Sequence, residues 1–275
     1  MNRTIHLYWG NNKPLSWMRF MTVYSLAELN PEWKIKIWIT GDPHTQMKWN
    51  SGEHSGTSDV GKDWLVYFKH IDNVSFPCID DIKGIELSQE YSEVHRSDLL
   101  RWYIMATEGG LWSDFDIFYT KPLAEEVFVS GDKVGLVEMA GRSNHADVKI
   151  LPIGFLWSGI GQSEFWNAVL TQAKEDIKPC EYQSAGRFAL EKIAEGKERH
   201  VIPETLVYCY RANETPRLFA HHVLRDAHGC SPIIGYHWYA GHPSSVKASN
   251  IAEATNNVFK DSCLIKAMRN MYNEV

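Results

Sequence analysis

The sequence is short of cysteine, of net charge and of long apolar runs, and each shortage narrows what the chain can be. Its five cysteines, Cys78, Cys180, Cys209, Cys230 and Cys263, are scattered and form no C-x-x-C pair. That argues against a disulfide framework or a zinc knuckle, and for reduced thiols in a cytoplasmic protein. The formal net charge is −6 over 275 residues. General polyanion binding is not expected, although a mean charge leaves room for a local basic groove. No apolar stretch is long enough for a membrane-crossing helix, so no integral membrane segment is expected. Met1-Asn2-Arg3-Thr4-Ile5-His6 runs straight into a strand-like segment, so no signal peptide is expected either. There is no internal repeat and no convincing linker, which favours one domain over residues 1–275.

What is plentiful is apolar and aromatic. Hydrophobic residues make up 44% of the chain, enough for a substantial core, and there are 11 Trp and 12 Tyr. Flat rings serve a core, and they also suit the faces of nucleobases and sugars. Ile5–Tyr8 reads as a strand, Pro14–Leu29 as a helix and Lys34–Ile39 as a second strand, so a parallel βαβ unit is predicted. Gly41–Gly61 has no period and reads as an extended loop. Glu90–Glu108 is predicted helical, broken by Gly109-Gly110, with a short strand at Leu111-Trp112-Ser113. Further strands are expected at Lys133–Met139 and Pro152–Trp157. Helices are expected at Ser163–Ala173, Gln183–Ala194 and Asn257–Tyr272.

Asp114-Phe115-Asp116 follows that short strand. On an extended segment alternate side chains share a face, so two hard carboxylates would point together and could ligate Mg²⁺ or Mn²⁺. Alone, such a tripeptide is a weak signal and is often a solvated turn. Here it stands within Ser97-Asp98-Leu99-Leu100-Arg101-Trp102, a helix, Gly109-Gly110-Leu111-Trp112-Ser113 and a closing Lys121-Pro122-Leu123. That run resembles the core of the DXD-containing glycosyltransferase sugar-binding-region family, with Trp112 where Tyr is usual. Ile5-His6-Leu7-Tyr8-Trp9-Gly10, Asn30-Pro31 and Trp33–Trp38 are similar to the opening of the same family.

The resemblance covers about the first half of the chain. It implies a GT-A fold: α/β, with a Rossmann-like mixed sheet flanked by helices. Residues 1–125 would then be a nucleotide-sugar donor half, and 126–275 an acceptor half with a C-terminal metal and donor loop. It implies a metal-dependent, retaining transfer from a nucleotide donor, a UDP-sugar first, with Mn²⁺ or Mg²⁺ as cofactor. Asp98 would take hydroxyl groups of the donor sugar or ribose, and Arg101, one helical turn later, would contact donor sugar or phosphate. Asp114 would contact sugar or ribose and a metal-bound water, and Asp116 would bind the metal directly. Trp9, with Tyr8 beside it, would meet the base, although a core Trp is an equal reading; His6 and Trp112 read as packing residues. The family's further metal ligand near the C-terminus maps to Gly235–Ser244, with His237 first and His242 second. The usual Ser-Trp after Gly241 is missing, which leaves His242, Ser244 or Lys247 to meet the leaving phosphate.

The remaining residues are less telling. Glu138 and Asp147 are weak candidates for a base. His221-His222 with Asp226 and His228 could suggest zinc, but a polar helix face is preferred. Ile153-Gly154-Phe155 and Tyr182-Gln183-Ser184-Ala185-Gly186 fall where the family puts acceptor-side segments. The acceptor is a glycan by family prior. A protein, or a hydroxymethylated pyrimidine of DNA as for some phage transferases, is an alternative; basic residues from Arg187 to Arg225 offer charge for the last, and a solvated surface explains them equally well. A nucleotide-sugar hydrolase and a non-catalytic binding protein are the readings outside transfer.

Overall fold

The expected βαβ unit forms from β1 (Thr4–Trp9), α1 (Trp17–Leu29) and β2 (Lys34–Ile39), with β1 and β2 parallel and Ile5 opposite Ile35. The helix starts three residues later than Pro14 suggested, because Ser16 caps it: its hydroxyl accepts the Arg19 N–H. The computed structural model describes residues 2–10, 13–41, 61–88, 90–123, 128–129, 131–141, 149–179, 181–225, 232–251 and 258–273. Most of Gly41–Gly61, together with Asp147, Cys180, Asp226, His228 and Cys230, lies outside them. Cys78, Cys209 and Cys263 are free thiols. Among the described residues no helix is long and apolar enough to cross a membrane.

The chain continues through β3 (Val74–Ser75), α2 (Glu93–Thr107), β4 (Gly110–Ser113), β5 (Ile117–Tyr119), β6 (Val134–Val137), β7 (Met139–Ala140), β8 (Lys149–Ile150) and β9 (Phe155–Ser158). Then come α3 (Glu164–Asp176), α4 (Arg187–Ala194), β10 (His200–Ile202), α5 (Thr215–Leu218), β11 (Gly235–His237), α6 (Pro243–Ile251) and α7 (Cys263–Asn273). The central sheet has seven strands in the order β10-β6-β9-β4-β1-β2-β3. All pairs are parallel except those made by β9, which runs against both β4 and β6. Two short ribbons, β5 with β11 and β7 with β8, are antiparallel.

Helix α2 packs on both sides. Leu99, Trp102, Met105 and Ala106 join one core with α3 and α4, while Leu100 and Ile104 join Trp38 and Ile79 in another. Trp102 stacks on Trp166 at 5.7 Å and donates its ring N–H to Ala185 O at 2.7 Å. Such a ring pair adds about 0.5–1.5 kcal/mol beyond the area it buries. His6 is neutral and structural: burial, with Lys36 adding to it, pushes its pKa down to about 3. Its Nδ1 accepts the Trp38 N–H, so the proton sits on Nε2 and is donated to Gly109 O.

The Gly109-Gly110 break is a steric requirement. Both have positive φ, and a Cβ on Gly110 would meet Thr4 O at 2.5 Å, so only glycine lets α2 turn directly into β4 against β1. Some expectations shift. His221 and His222 lie in bends after α5, not on a helix, so the helical spacing behind a zinc reading is absent. In place of a helix from Asn257, α7 starts only at Cys263, with Leu264, Ile265 and Met268 buried, and Phe259 precedes it in a turn.

Asn30 ties the βαβ unit to the segment after the acidic motif. Its buried side chain donates to Leu26 O at 2.9 Å and accepts the Leu123 N–H at 2.7 Å. Asn30→Ala strands a buried N–H. Urea unfolding is expected to show a loss of about 1–3 kcal/mol, and an unchanged midpoint would contradict that role.

Candidate active site

Two chain crossings assemble the site. The first is α2 into β4, which brings Asp98 and Arg101 up to Asp114. Asp98 and Arg101 are buried, and Arg101 Nη2 lies 3.4 Å from Asp98 and 3.2 Å from Asp114. The same guanidinium donates to Ile153 O and lies 4.9 Å over the Trp112 ring. The second crossing is the β5–β11 ribbon, in which His237 pairs with Ile117, the residue after Asp116. His237 Nε2 thereby comes to 3.2 Å from Asp116.

The acidic motif itself is not extended. Asp114-Phe115-Asp116 is a turn between β4 and β5, so the alternation argument does not hold; the two carboxylates converge by turning. Phe115 pins that turn: it is buried, meets the edge of Trp9 at 5.7 Å, and its carbonyl accepts the Thr22 hydroxyl at 2.9 Å. Asp114 N–H is donated to Gly154 O, and the Asp116 carbonyl accepts the Trp238 N–H, each at 2.8 Å. Trp112, expected only to pack, also donates its ring N–H to Asp114 Oδ1 at 2.9 Å. The Ala240 N–H reaches Asp116 Oδ2 at 2.8 Å, aimed there by Tyr239 in the left-handed region at φ 48°. A tyrosine held at positive φ is a strained position, of the kind that gathers at functional sites.

Asp114, Asp116 and His237 each place one ligand atom within 4.8 Å of the others, a group that among the described residues could hold a metal ion. His242 is not a member. Its Nδ1 accepts the Ser244 N–H at 3.1 Å at the start of α6, so it shapes that turn, and Lys247 lies 5.9 Å over Phe259. Tyr8 donates its hydroxyl to Glu93 at 2.7 Å. Trp9 is buried as a core ring, with the Arg19 guanidinium 5.1 Å over it and 5.7 Å from Trp238. Glu138 sits between Lys149 and Arg199. Burial works to raise its carboxyl, but the two cations outweigh that and hold it below the usual range, which leaves a poor base.

The carboxylates separate electrostatically. Burial would raise Asp116, but His237, the Ala240 N–H and Arg19 together hold it well below the ordinary range, so it is ionised. Asp98 goes the other way: burial, with Asp114 adding and Arg101 opposing, pushes it up to about 7. Neither Asp98 oxygen makes a hydrogen bond within the protein, and a Cβ on Gly186 would touch Asp98 Oδ2 at 2.4 Å. Tyr208 also enters the site. Its ring lies 4.9 Å from that of His237, and burial, then Asp114, holds its hydroxyl protonated far above the ordinary range. The segments read as acceptor-side therefore supply contacts to the acids: Ile153 and Gly154 to Arg101 and Asp114, Gly186 to Asp98. Tyr208, Arg19 and Ala240 carried no signal in the sequence, since an isolated Tyr, a helix Arg and a backbone N–H belong to no motif.

Residues 17–135 match the profile of the family described as glycosyltransferase sugar-binding region containing DXD motif. Over that stretch the chain is similar to a glycosyltransferase sugar-binding region. No curated protein matches the sequence. Among solved structures it is similar to PaToxG glycosyltransferase, at 17% identity and a TM-score of 0.51 over 70% of this chain and 69% of that one. It is similar to the galactosyltransferase LgtC crystallised with donor and acceptor sugar analogues, at 12% identity and a TM-score of 0.50 over 99% and 96%. It is also similar to the glycosyltransferase GlyE of Streptococcus pneumoniae TIGR4, at 10% identity and 0.51 over 98% and 60%. At these identities the likeness is one of fold, and the fold is GT-A. The matched stretch includes Asp98, Arg101, Asp114 and Asp116, and His237 joins them from beyond it.

The raised Asp98 carboxyl has a measurable sign. Between the unfolded carboxylate value of about 4 and about 7, the folded chain keeps a proton that the unfolded chain has lost. Stability therefore falls as pH rises through that window. Asp98→Asn removes this decline, so the variant should gain on the wild type by on the order of a few kcal/mol across the window and no further above it. Denaturant titrations of both proteins at several pH values check this; a constant difference would show Asp98 to be an ordinary carboxylate.

Proposed function

We propose that this protein is a metal-dependent glycosyltransferase that moves a sugar from a nucleotide donor, a UDP-sugar first, to an acceptor hydroxyl with retention of anomeric configuration. The observation that carries the proposal is the convergence of Asp114, Asp116 and His237 within 4.8 Å beside the Asp98–Arg101–Asp114 cluster. Two carboxylates and an imidazole fit Mn²⁺ better than Mg²⁺, which prefers oxygen ligands alone. Bound there, a divalent ion would neutralise the charge of the leaving diphosphate.

The protein's own groups orient and select. Arg101 and the Trp112 N–H fix Asp114, while Ala240 N–H and His237 fix Asp116, so the site is set before substrate arrives. Asp98, with two oxygens that make no hydrogen bond within the protein, would take hydroxyls of the donor sugar. The nucleotide would lie over the carboxyl end of β1 at Tyr8, Trp9 and Gly10, where open α/β sheets hold ligands. Residues 1–125 would form most of the donor side and 126–275 the acceptor side, with Gly154, Tyr208 and His237 reaching back to the donor. In this reading the acceptor hydroxyl attacks from the face the diphosphate leaves, and its proton passes to that diphosphate. A sugar acceptor is favoured by the family and by LgtC, a galactosyltransferase crystallised with an acceptor sugar analogue.

A panel of UDP- and GDP-sugars with Mn²⁺ tests this by release of the nucleoside diphosphate. Chelation, or Asp116→Asn in a protein that still melts cooperatively, should lower turnover by about 10²–10⁴-fold. Absence of release from every donor, with no thermal shift by UDP or GDP plus Mn²⁺, would refute the proposal. Release that no acceptor accelerates would make the protein a hydrolase.

A further inference from the structure

His237 completes the group that could hold a cation, yet no hydrogen bond fixes its ring from behind. Its Nε2 lies 3.2 Å from Asp116, while its Nδ1 is buried and makes no hydrogen bond among the described residues. An imidazole that ligates a metal ordinarily gives its other N–H to a carboxylate, a carbonyl or water, and that bond sets the plane of the ring. Here two tyrosine rings stand in its place. Tyr208 lies 4.9 Å from the imidazole at 37°, and Tyr239 lies 4.2 Å from it at 74°. Contacts at two such different angles oppose both tilting of the imidazole and its rotation about Cβ–Cγ.

Tyr239 is itself held at both ends. Its hydroxyl donates to Tyr210 O at 3.1 Å. Its backbone sits at φ 48°, its carbonyl accepts the His242 N–H, and the N–H of the next residue, Ala240, reaches Asp116. A bulky residue is disfavoured at positive φ, where glycine would sit without strain. What the side chain adds at this position is the contact with His237 and the tie to Tyr210. We infer that Tyr239 is a positioning residue: with Tyr208 it holds the His237 imidazole beside Asp114 and Asp116 in place of a hydrogen bond, and so sets which divalent ion the group prefers. Ligand type explains the preference. Mn²⁺ accepts an imidazole readily and Mg²⁺ prefers oxygen, so a loosened His237 weakens Mn²⁺ and leaves Mg²⁺ on the carboxylates. The inference rests on the cation reading above and not on the donor sugar.

Tyr239→Gly removes the ring and keeps the left-handed turn accessible. Mn²⁺ binding is read from loss of the free-ion EPR signal, with and without UDP and against protein-free blanks, and Mg²⁺ binding from competition with Mn²⁺. The expected result is Mn²⁺ affinity reduced about tenfold and Mg²⁺ affinity changed by less than about threefold. Tyr239→Phe, which keeps the ring, should restore most of the Mn²⁺ preference. His237→Ala should abolish that preference, and adding Tyr239→Gly to it should change neither ion further. Equal loss for both ions would make Tyr239 merely structural and overturn the inference. No loss for Mn²⁺, or a further loss in the His237→Ala background, would overturn it too. If the wild type binds neither ion, with or without UDP, the metal reading itself fails and the positioning role with it. Should Tyr239→Gly melt early, Tyr239→Asn takes its place, since Asn also tolerates a left-handed backbone and lacks the ring.

Discussion

Like charges resist being packed together, and Asp114 is near enough to Asp98 to help raise its carboxyl. Arg101 makes their arrangement possible. Its Nη2 lies between the two carboxylates, its Nη1 is fixed on Ile153 O, and its flat face rests on Trp112. Removing such a partner leaves buried charge uncompensated, which costs far more than an exposed ion pair is worth. The rest of the site depends on this contact. Asp114 stands where it does because Arg101 and Trp112 hold one of its oxygens, which frees the other to face Gly154.

The sheet explains why a helix residue and a strand-end residue can share that cation. β9 runs antiparallel beside β4, so the loop before it passes the end of β4 and delivers Ile153 and Gly154 to Arg101 and Asp114. The stacked Trp102 and Trp166 fix the helix layer behind α2. Packing on both sides of α2 therefore does two tasks, closing the core and holding Asp98 dry enough for its carboxyl to rise.

Local features of the first half were legible in the sequence. The βαβ unit, the Gly109-Gly110 break, the acidic motif and the Asp98–Arg101 helical turn follow from periodicity, glycine sterics and spacing. Less legible was whatever depends on long-range pairing. The approach of His237 to Asp116 needs the β5–β11 ladder, and three-residue strands leave almost no periodic trace. His237 was preferred because of a family resemblance, not because the residues around it demanded it. The extended geometry assumed for Asp114-Phe115-Asp116 gave way to a turn because Phe115 has a buried slot beside Trp9 and Thr22. Gly154 and Gly186 stood out only as parts of acceptor-side segments, and Tyr208 not at all, since a bare Cα and an isolated hydroxyl matter only once a carboxylate lies beside them.

The metal-capable group straddles a seam. Asp114 hangs from the seven-stranded sheet through β4 and Gly154, whereas Asp116 and His237 belong to the β5–β11 ribbon. A slight sliding of ribbon over sheet would alter the Asp114–His237 separation and leave the Asp116–His237 contact intact. The residue between the two carboxylates is Phe115, held in its slot by an aromatic edge and a threonine hydroxyl. The span of the ligand cage is in this sense a mechanical coordinate of the fold, and the packing of one phenylalanine sets its resting value.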